Sequence, residues 1–314
     1  MDAALWGIPL RDRMELEVEL FATLDAFDDP IFEREPDEDW RGQVADVLIE
    51  NGLRPKANRF LQCSRFANLY ECEGDEKHKL FSPVYCDLRY CPRCCLRQYA
   101  RLIKKYLPIL KAVNAQKRPG YRQRLITLTT RNTGTLTPEQ IKRLNLDVKK
   151  TLKRLLPKDS SCGAFWCDEV GFENTNLHAH VLLYGPYIAQ DDLARVWHEV
   201  SGNQVVHIRD ASRDGYKALL YMLKYVSKQP GNDPNFIGSL EVAFHGVRRV
   251  HAIGVFYNFS GDDTDSEKSE WSKCPHCGAG ITKMPGTEHV VKAILDGRTY
   301  MGTKFTPRRK QWLN

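Results

Sequence analysis

The feature that most constrains the fold is an apolar run with two histidines, Asn176–Gly185. Its aliphatic and β-branched residues, followed by proline, predict a strand buried in a sheet. Side chains alternate between the two faces of a strand, so His178 and His180 lie on one face and Ala179 on the other. Two imidazoles on one face can bind a divalent cation. The alternative is a pair of ordinary histidines on a half-exposed strand.

A third ligand is expected from the segment just before this strand. Phe165–Val170 has strand character, and a polar turn at 171–176 joins it to the histidine strand. In such a hairpin Glu169 can lie opposite the histidines, although Glu173 is also within reach. A His/His/carboxylate set with open positions suits Mg²⁺ or Mn²⁺ when a substrate supplies phosphate oxygens.

A helix with two tyrosines is predicted over Asp214–Lys228, ending before a Pro-Gly pair. Tyr221 and Tyr225 are four residues apart and share a face, and Lys224 and Lys228 share an adjacent one. A phenol, with a reference pKa of about 10, is a weak nucleophile that a cation or a metal can assist. A lysine can stabilise charge on a pentacovalent phosphate. The alternative is an amphipathic helix whose tyrosines pack at the edge of the core.

Three segments, in this order, resemble motifs of the HUH endonucleases, above all rolling-circle replication initiators with paired tyrosines. Leu125–Thr130 resembles their first-strand motif, Leu177–Gly185 the His-hydrophobic-His motif, and Tyr221–Lys228 the two-tyrosine motif. The resemblance covers residues 120–230. It implies an α+β fold with a ferredoxin- or RRM-like palm, in which a five-stranded antiparallel sheet carries helices on one face.

The resemblance also implies a metal-dependent, site-specific endonuclease and strand transferase that acts on single-stranded origin DNA. Tyr221 and Tyr225 would be the nucleophiles, forming a 5′-phosphotyrosine and leaving a 3′-OH that primes synthesis. His178, His180 and Glu169 would hold Mg²⁺ or Mn²⁺. Many single-tyrosine relatives carry a glutamate four residues before the tyrosine. Tyr221 occupies that place here, which favours two alternating tyrosines, the second one helical turn from the first.

Two other functions stay open at this stage. A transposase or a mobilisation nuclease shares these motifs and the same chemistry. A DNA-binding regulator that kept the fold and lost the chemistry would bind DNA in a salt-sensitive way without forming a covalent adduct.

The charge distribution agrees with a nucleic-acid partner. The net charge is +6, but residues 1–60 have 15 acidic and 7 basic residues, and the remainder has 25 and 39. The densest basic stretch, Leu96–Arg124, begins as an amphipathic helix and contains no acid. Solvated helix faces are the alternative to phosphate contact. The candidate DNA-binding residues are Arg97, Arg101, Lys104, Lys105, Arg122 and Arg124.

Four of the ten cysteines fall close together near residue 90. Cys91 and Cys94 have the spacing of a tetrahedral zinc knuckle, and Cys86 can supply a third thiolate. The fourth ligand is expected to be Cys63, with Cys72 as the competitor. Cys95 follows Cys94 directly and is expected to point away from the metal.

A second knuckle, Cys274 and Cys277, is followed by a glycine that fits a tight thiolate-binding turn. Its partners are open: His289 lies downstream, and Cys162 and Cys167 lie upstream. We expect structural zinc rather than disulfides, because the sequence has no signal peptide or transmembrane run and the chain is expected to be cytoplasmic.

Five regions are predicted along the chain: an acidic helical arm (1–60), a zinc-organised basic module (61–118), a catalytic domain (119–260), an acidic linker (261–270), and a zinc knuckle with a basic tail (271–314). No phosphate-binding loop of the P-loop type is present, so no nucleotide cofactor is expected. A host helicase and DNA polymerase would then be needed as partners, and no membrane partner is expected.

Overall fold

A computed structural model of the chain describes residues 38–63, 67–83, 85–116, 118–131, 136–158, 161–171, 176–212, 215–227, 231–257, 273–274 and 276–284. Most of the predicted acidic arm, the linker at 261–270 and the basic tail lie outside the described residues. Glu173, Lys228 and His289 also lie outside them.

The described helices and strands are, in chain order, α1 (Glu38–Glu50), α2 (Arg54–Gln62), β1 (Ala67–Cys72), β2 (Lys79–Pro83), α3 (Pro92–Ala115), β3 (Arg122–Thr129), α4 (Pro138–Leu155), β4 (Gly163–Val170), β5 (Leu177–Gly185), α5 (Gln190–Ser201), β6 (Val206–Asp210), α6 (Gly215–Ser227), α7 (Pro234–Ala243), β7 (Val250–Gly254) and β8 (Ile281–Lys283). They divide into two compact units.

The larger unit, within 29–54 and 88–261, is built on a five-stranded antiparallel sheet of order β6-β3-β5-β4-β7. This confirms the predicted α+β fold. The histidine strand is β5, at the centre of the sheet, and the predicted hairpin partner is β4. The tyrosine helix is α6, and the predicted first strand is β3.

Helices cover both faces of this sheet, whereas the resemblance implies helices on one face. On the face of His180, Cys167 of β4 donates to the Met222 carbonyl of α6 (3.2 Å). On the other face, the Asn145 amide of α4 donates to Asp168 of β4 (2.7 Å). β4 and β5 are buried on both faces as a result. Their nearly continuous apolar sequences are typical of a sheet with two covered faces.

Local sequence accounts for the ends of α4. Thr137 accepts a hydrogen bond from the Gln140 backbone N–H while the Gln140 side chain accepts one from the Thr137 N–H, which is a capping box. Pro138 then occupies the first helical turn, where its missing N–H costs nothing. The predicted start of the second basic helix is therefore confirmed.

The smaller unit, within 55–87 and 262–314, contains a three-stranded antiparallel sheet of order β2-β1-β8. β1 pairs with β2 along five residue pairs and with β8 along three, from Tyr70↔Lys283 to Cys72↔Ile281. The C-terminal knuckle is thus joined to a segment some two hundred residues earlier in the chain.

The two units differ from the predicted regions. The basic module predicted at 61–118 is divided at residue 87, and α3 belongs to the unit of the central sheet. Tyr106 of α3 stacks on Phe165 of β4 with ring centroids 4.7 Å apart, which places α3 against the sheet. Strand pairing between distant segments and ring stacking leave no local pattern that a sequence reading could use.

Among the described residues, no helix is both long enough and apolar enough to cross a membrane.

We expect Gly163→Ala to lower the free energy of unfolding by about 1–3 kcal/mol. A Cβ at this position would lie 2.4 Å from the Ile253 carbonyl oxygen, so β4 and β7 could not keep their spacing. Urea unfolding measures the change. The control is Gly42→Ala in α1, where a Cβ meets nothing within 4 Å. Replacing a helical glycine there should be neutral or stabilising by up to about 1 kcal/mol. Equal stability of wild type and Gly163→Ala would contradict the close approach.

Candidate metal and tyrosine site

The pairing of β3, β5 and β4 places the predicted metal ligands in two adjacent rows across the sheet. His178 lies opposite Thr129 of β3 and Glu169 of β4. His180 lies opposite Thr127 and Cys167 in the next row on the same face. Because directly paired residues share a face, the two histidines and Glu169 project from the same side of the sheet.

Two threonines of β3 orient the histidine rings. The Thr129 hydroxyl lies 2.9 Å from Nδ1 of His178, and the Thr127 hydroxyl lies 3.3 Å from Nδ1 of His180. With Nδ1 engaged, each ring has Nε2 left as the nitrogen that can bind a metal. The sequence analysis assigned β3 to a motif but gave these threonines no role. Their alternate-residue spacing, matched to that of the histidines, is the signal that could have found them.

Glu169 lies at the predicted place. Its Oε2 is 2.5 Å from Nε2 of His180, a diagonal contact between neighbouring rows. Of the two glutamates that the sequence left open, Glu169 is the one described in contact with a histidine. The ring centroids of His178 and His180 are 6.4 Å apart. Two imidazoles and a carboxylate on one side are a donor set that a hard divalent cation accepts, with positions open to phosphate oxygens and water.

Burial favours the ligand form of one histidine. Desolvation lowers the pKa of His178 below its ordinary 6.5, as does His180, while the Glu169 carboxylate opposes the shift. The neutral imidazole, which can donate an electron pair to a metal, is therefore the favoured form near neutral pH.

The tyrosine helix lies against this site. The Tyr221 ring meets the His180 ring edge to face, with centroids 6.3 Å apart and planes at 87°. The contact between Cys167 and the Met222 carbonyl fixes α6 at the same row of the sheet. Tyr225 and Lys224 lie one turn further along α6, but their side chains, like Lys228, are outside the described residues.

Arg209 of β6 is a site residue that the sequence analysis missed. Its guanidinium carbon lies 4.8 Å from the centroid of the Tyr221 ring. Arg209 pairs with Leu125 on the edge strand, so it shares the face of Thr127 and the histidines. His207, opposite Thr127, projects from that face as well. β6 is short and mostly polar, and its sequence gave no reason to place it beside the tyrosines.

The predicted DNA-binding residues fall into different environments. Arg101 and Lys104 of α3 are exposed, and Lys105 is half-buried. Arg122 is exposed and 3.3 Å from Asp210. The side chain of Arg97 is outside the described residues.

Arg124 needs a correction, because its side chain is buried rather than displayed to a phosphate. It donates to the carbonyl oxygens of Gly185 (3.2 Å) and Pro186 (2.7 Å) at the end of β5. Burial lowers the pKa of Arg124. A basic residue in a strand was read as surface charge, but its position in β3 turns it toward the backbone of the next strand.

Cysteine-rich groups among the described residues could hold a structural metal such as zinc. None of the ten cysteines, all of which are described, is in a disulfide. Of the first predicted cluster, Cys63 and Cys86 are buried in the smaller unit, and Cys91 and Cys94 are buried at the start of α3 in the larger one. Cys95 donates to the Arg89 carbonyl (3.1 Å), in keeping with the bystander role expected for it.

The second knuckle has partners that the sequence analysis did not select. Cys274 and Cys277 lie in one group with Cys72 and His78. Cys72, the competitor for the first cluster, therefore belongs to the second. The upstream candidates lie in the larger unit, where Cys162 donates to the Pro157 carbonyl and Cys167 to the Met222 carbonyl.

We expect Thr129→Val to weaken Mn²⁺ binding by roughly 10- to 100-fold, since it removes the group that orients His178. Isothermal titration calorimetry of the full chain measures the affinity. The control is Thr130→Val, because the Thr130 hydroxyl donates to the Leu177 carbonyl, which also accepts from the Thr130 N–H. An unchanged affinity in Thr129→Val would rule out the orienting role.

Comparison with protein families places this site in a known context. The family model of the replication-associated protein ORF2 and its relatives matches residues 123–230. No curated protein and no solved structure gives a significant match. The matched segment contains Thr127, Thr129, Glu169, both histidines and both tyrosines. The match supports a replication-associated protein of the Rep type.

Proposed function

We propose that this protein initiates rolling-circle DNA replication by nicking single-stranded origin DNA and joining one end to a tyrosine. The observation that carries the proposal is the contact of the Tyr221 ring with His180, on the face of the sheet that also bears Glu169. A candidate nucleophile and a candidate metal site are thereby brought together from α6 and two strands, within the segment that the replication-associated family matches.

His178, His180 and Glu169 would hold Mg²⁺ or Mn²⁺, which would polarise the scissile phosphate and offset its negative charge. Thr127 and Thr129 keep the imidazoles in place through their Nδ1 atoms. Because the ligands stand on the three central strands of the sheet, their geometry is fixed before DNA arrives, and less reorganisation is needed in the reaction.

The phenol oxygen of a tyrosine would attack the phosphorus, and the 3′-oxygen of the preceding nucleotide would leave. The products are a 5′-phosphotyrosine and a 3′-OH that a host DNA polymerase can extend. One phosphodiester replaces another, so the reverse reaction rejoins strands. With Tyr221 against the metal ligands and Tyr225 one helical turn away, about 6 Å along α6, a second cut can follow while the first end is still held.

Arg209 would add positive charge beside the reacting phosphate. Its guanidinium lies against the Tyr221 ring and can donate hydrogen bonds to two phosphate oxygens at once. Lys224 and Lys228, on the tyrosine helix, would provide further positive charge.

Single-stranded DNA would reach the site along α3. Arg101 and Lys104 are exposed on this helix, which packs on the face of the sheet that carries α6. The second basic helix, α4, packs on the opposite face and would not contact a strand bound at the tyrosines. Strand separation would require a host helicase in the cytoplasm.

A covalent adduct assay tests the proposal directly. Labelled single-stranded oligonucleotides tiled across the DNA flanking the gene would be incubated with Mn²⁺ or EDTA and run on a denaturing gel. We expect a Mn²⁺-dependent shifted band for wild type and for at least one of Tyr221→Phe and Tyr225→Phe, and none for the double variant. The phenylalanines keep the packing of the rings, so loss of the band reports the hydroxyls.

The same assay separates the other functions. DNA binding by wild type without a covalent band on any tile would overturn the nuclease and support a DNA-binding regulator. A band confined to oligonucleotides from the ends of a mobile element, with none from an origin, would instead indicate a transposase or a mobilisation nuclease.

We expect Arg209→Ala to slow adduct formation roughly a hundredfold while leaving the affinity for single-stranded DNA within a few-fold of wild type. The control is Arg195→Ala, which removes an equal charge from an exposed helix where Arg195 pairs with Asp192 and Glu199. Equal single-turnover rates for Arg209→Ala and Arg195→Ala would exclude a role for Arg209 in the reaction.

A further inference from the structure

A second possible metal site lies in the smaller unit, away from the residues used in the proposed reaction. Four donors from two distant parts of the chain meet there. Cys72 ends β1 and His78 closes the loop before β2, while Cys274 and Cys277 lie in the turn before β8. Their ligand atoms all lie within 4.8 Å of one another.

The distances within the group match the edges of a small tetrahedron. Sγ of Cys72 is 3.3 Å from Sγ of Cys277, and Sγ of Cys274 is 3.7 Å from Nδ1 of His78. Zinc–sulfur bonds of about 2.3 Å and zinc–nitrogen bonds of about 2.0–2.1 Å in a tetrahedron put neighbouring ligand atoms roughly 3.5–3.8 Å apart. A disulfide would need about 2.05 Å, so the thiols are spaced for a shared ion rather than for a bond.

The backbone around the group is shaped for thiolates. The N–H of Gly74 donates to Sγ of Cys72 (3.3 Å). The N–H of Gly278 donates to the Cys274 carbonyl (2.8 Å), closing a tight turn in which Gly278 has a φ of +75°. A Cβ at Gly74 would lie 2.8 Å from the Ala279 side chain. The two loops therefore approach so closely that only a glycine fits at that point.

The ring of His78 is oriented for the group by a carboxylate. Asp75 lies 3.7 Å from Nε2 of His78, on the side of the ring away from Cys274. A carboxylate on one ring nitrogen and a metal on the other is the usual arrangement of metal-binding histidines. His276 stacks against His78, with ring centroids 4.8 Å apart, but is outside the donor group.

We propose that Cys72, His78, Cys274 and Cys277 bind a zinc ion that holds β8 against β1. Three thiolates and an imidazole are a structural zinc set with no position left for substrate. β8 has three residues and pairs with β1 at three positions, which is too short a contact to be stable in water by itself. A metal bond to ligands on both segments would supply what the pairing lacks.

Zinc content of the full-length protein tests this site independently of DNA nicking. Native mass spectrometry would compare wild type with Cys274→Ser, His78→Ala and His276→Ala, and circular dichroism would establish that each variant is folded. We expect Cys274→Ser and His78→Ala each to carry one zinc fewer than wild type, and the control His276→Ala to carry the wild-type number. Wild-type zinc content in Cys274→Ser, or loss of zinc in His276→Ala alone, would overturn the assigned ligands.

Hydrogen exchange gives a second measurement for variants that fold poorly. In wild type, removing zinc with a chelator should increase exchange in 276–284 and in β1 by at least tenfold. Exchange in β5 reports the larger unit and provides the internal reference. Unchanged exchange of both β8 and β1 in zinc-free protein would show that the ion does not hold these strands together.

Discussion

The register between β3, β5 and β4 is the constraint on which the candidate site depends. Thr129, His178 and Glu169 form one cross-strand row, and Thr127 and His180 belong to the next. A shift of one residue in either pairing would move a whole set of side chains to the opposite face of the sheet. The apolar residues between the histidines, Ala179 and Val181, are fully buried on that opposite face. The burial that stabilises the sheet therefore also fixes the histidines, the threonines and the glutamate on one side.

Burial of both faces makes this register hard to change. On the reverse side of the sheet, Asn145 accepts from the Trp166 indole (2.6 Å) and donates to Asp168. Burial raises the pKa of Asp168 to about 6, while Arg89 and the Asn145 hydrogen bond act against the shift. These polar groups have few alternative partners in the core, and unpaired buried polar groups are costly. A slipped strand would break this network as well as the site, so structural residues behind the sheet help to determine the chemistry in front of it.

Sequence reading succeeded where the information was local and periodic. Alternation identified β5, four-residue spacing identified α6, and a capping box identified α4; each depends on residues within one element. It failed where the answer depends on how distant elements meet. Cys72 could not be assigned to the second knuckle because β1 and β8 are paired by the fold. Arg209 could not be found because an edge strand brings it to Tyr221. Arg124 was misread because a basic residue inside a strand carries no sign of which way it turns.

The positions of Tyr221 and Arg209 explain how one face of a sheet can serve reaction and product together. The metal ligands stand on the three central strands, whereas Arg209 stands on the edge strand β6 and Tyr221 on a helix above. A phosphate between these groups would be in contact with rigid strands on one side and with a helix on the other. Because the two tyrosines are on one helix, exchange of a DNA end between them requires movement of the DNA by about one helical turn rather than movement of the protein. A rigid sheet with a two-tyrosine helix is therefore suited to repeated transfer of a strand that is never released.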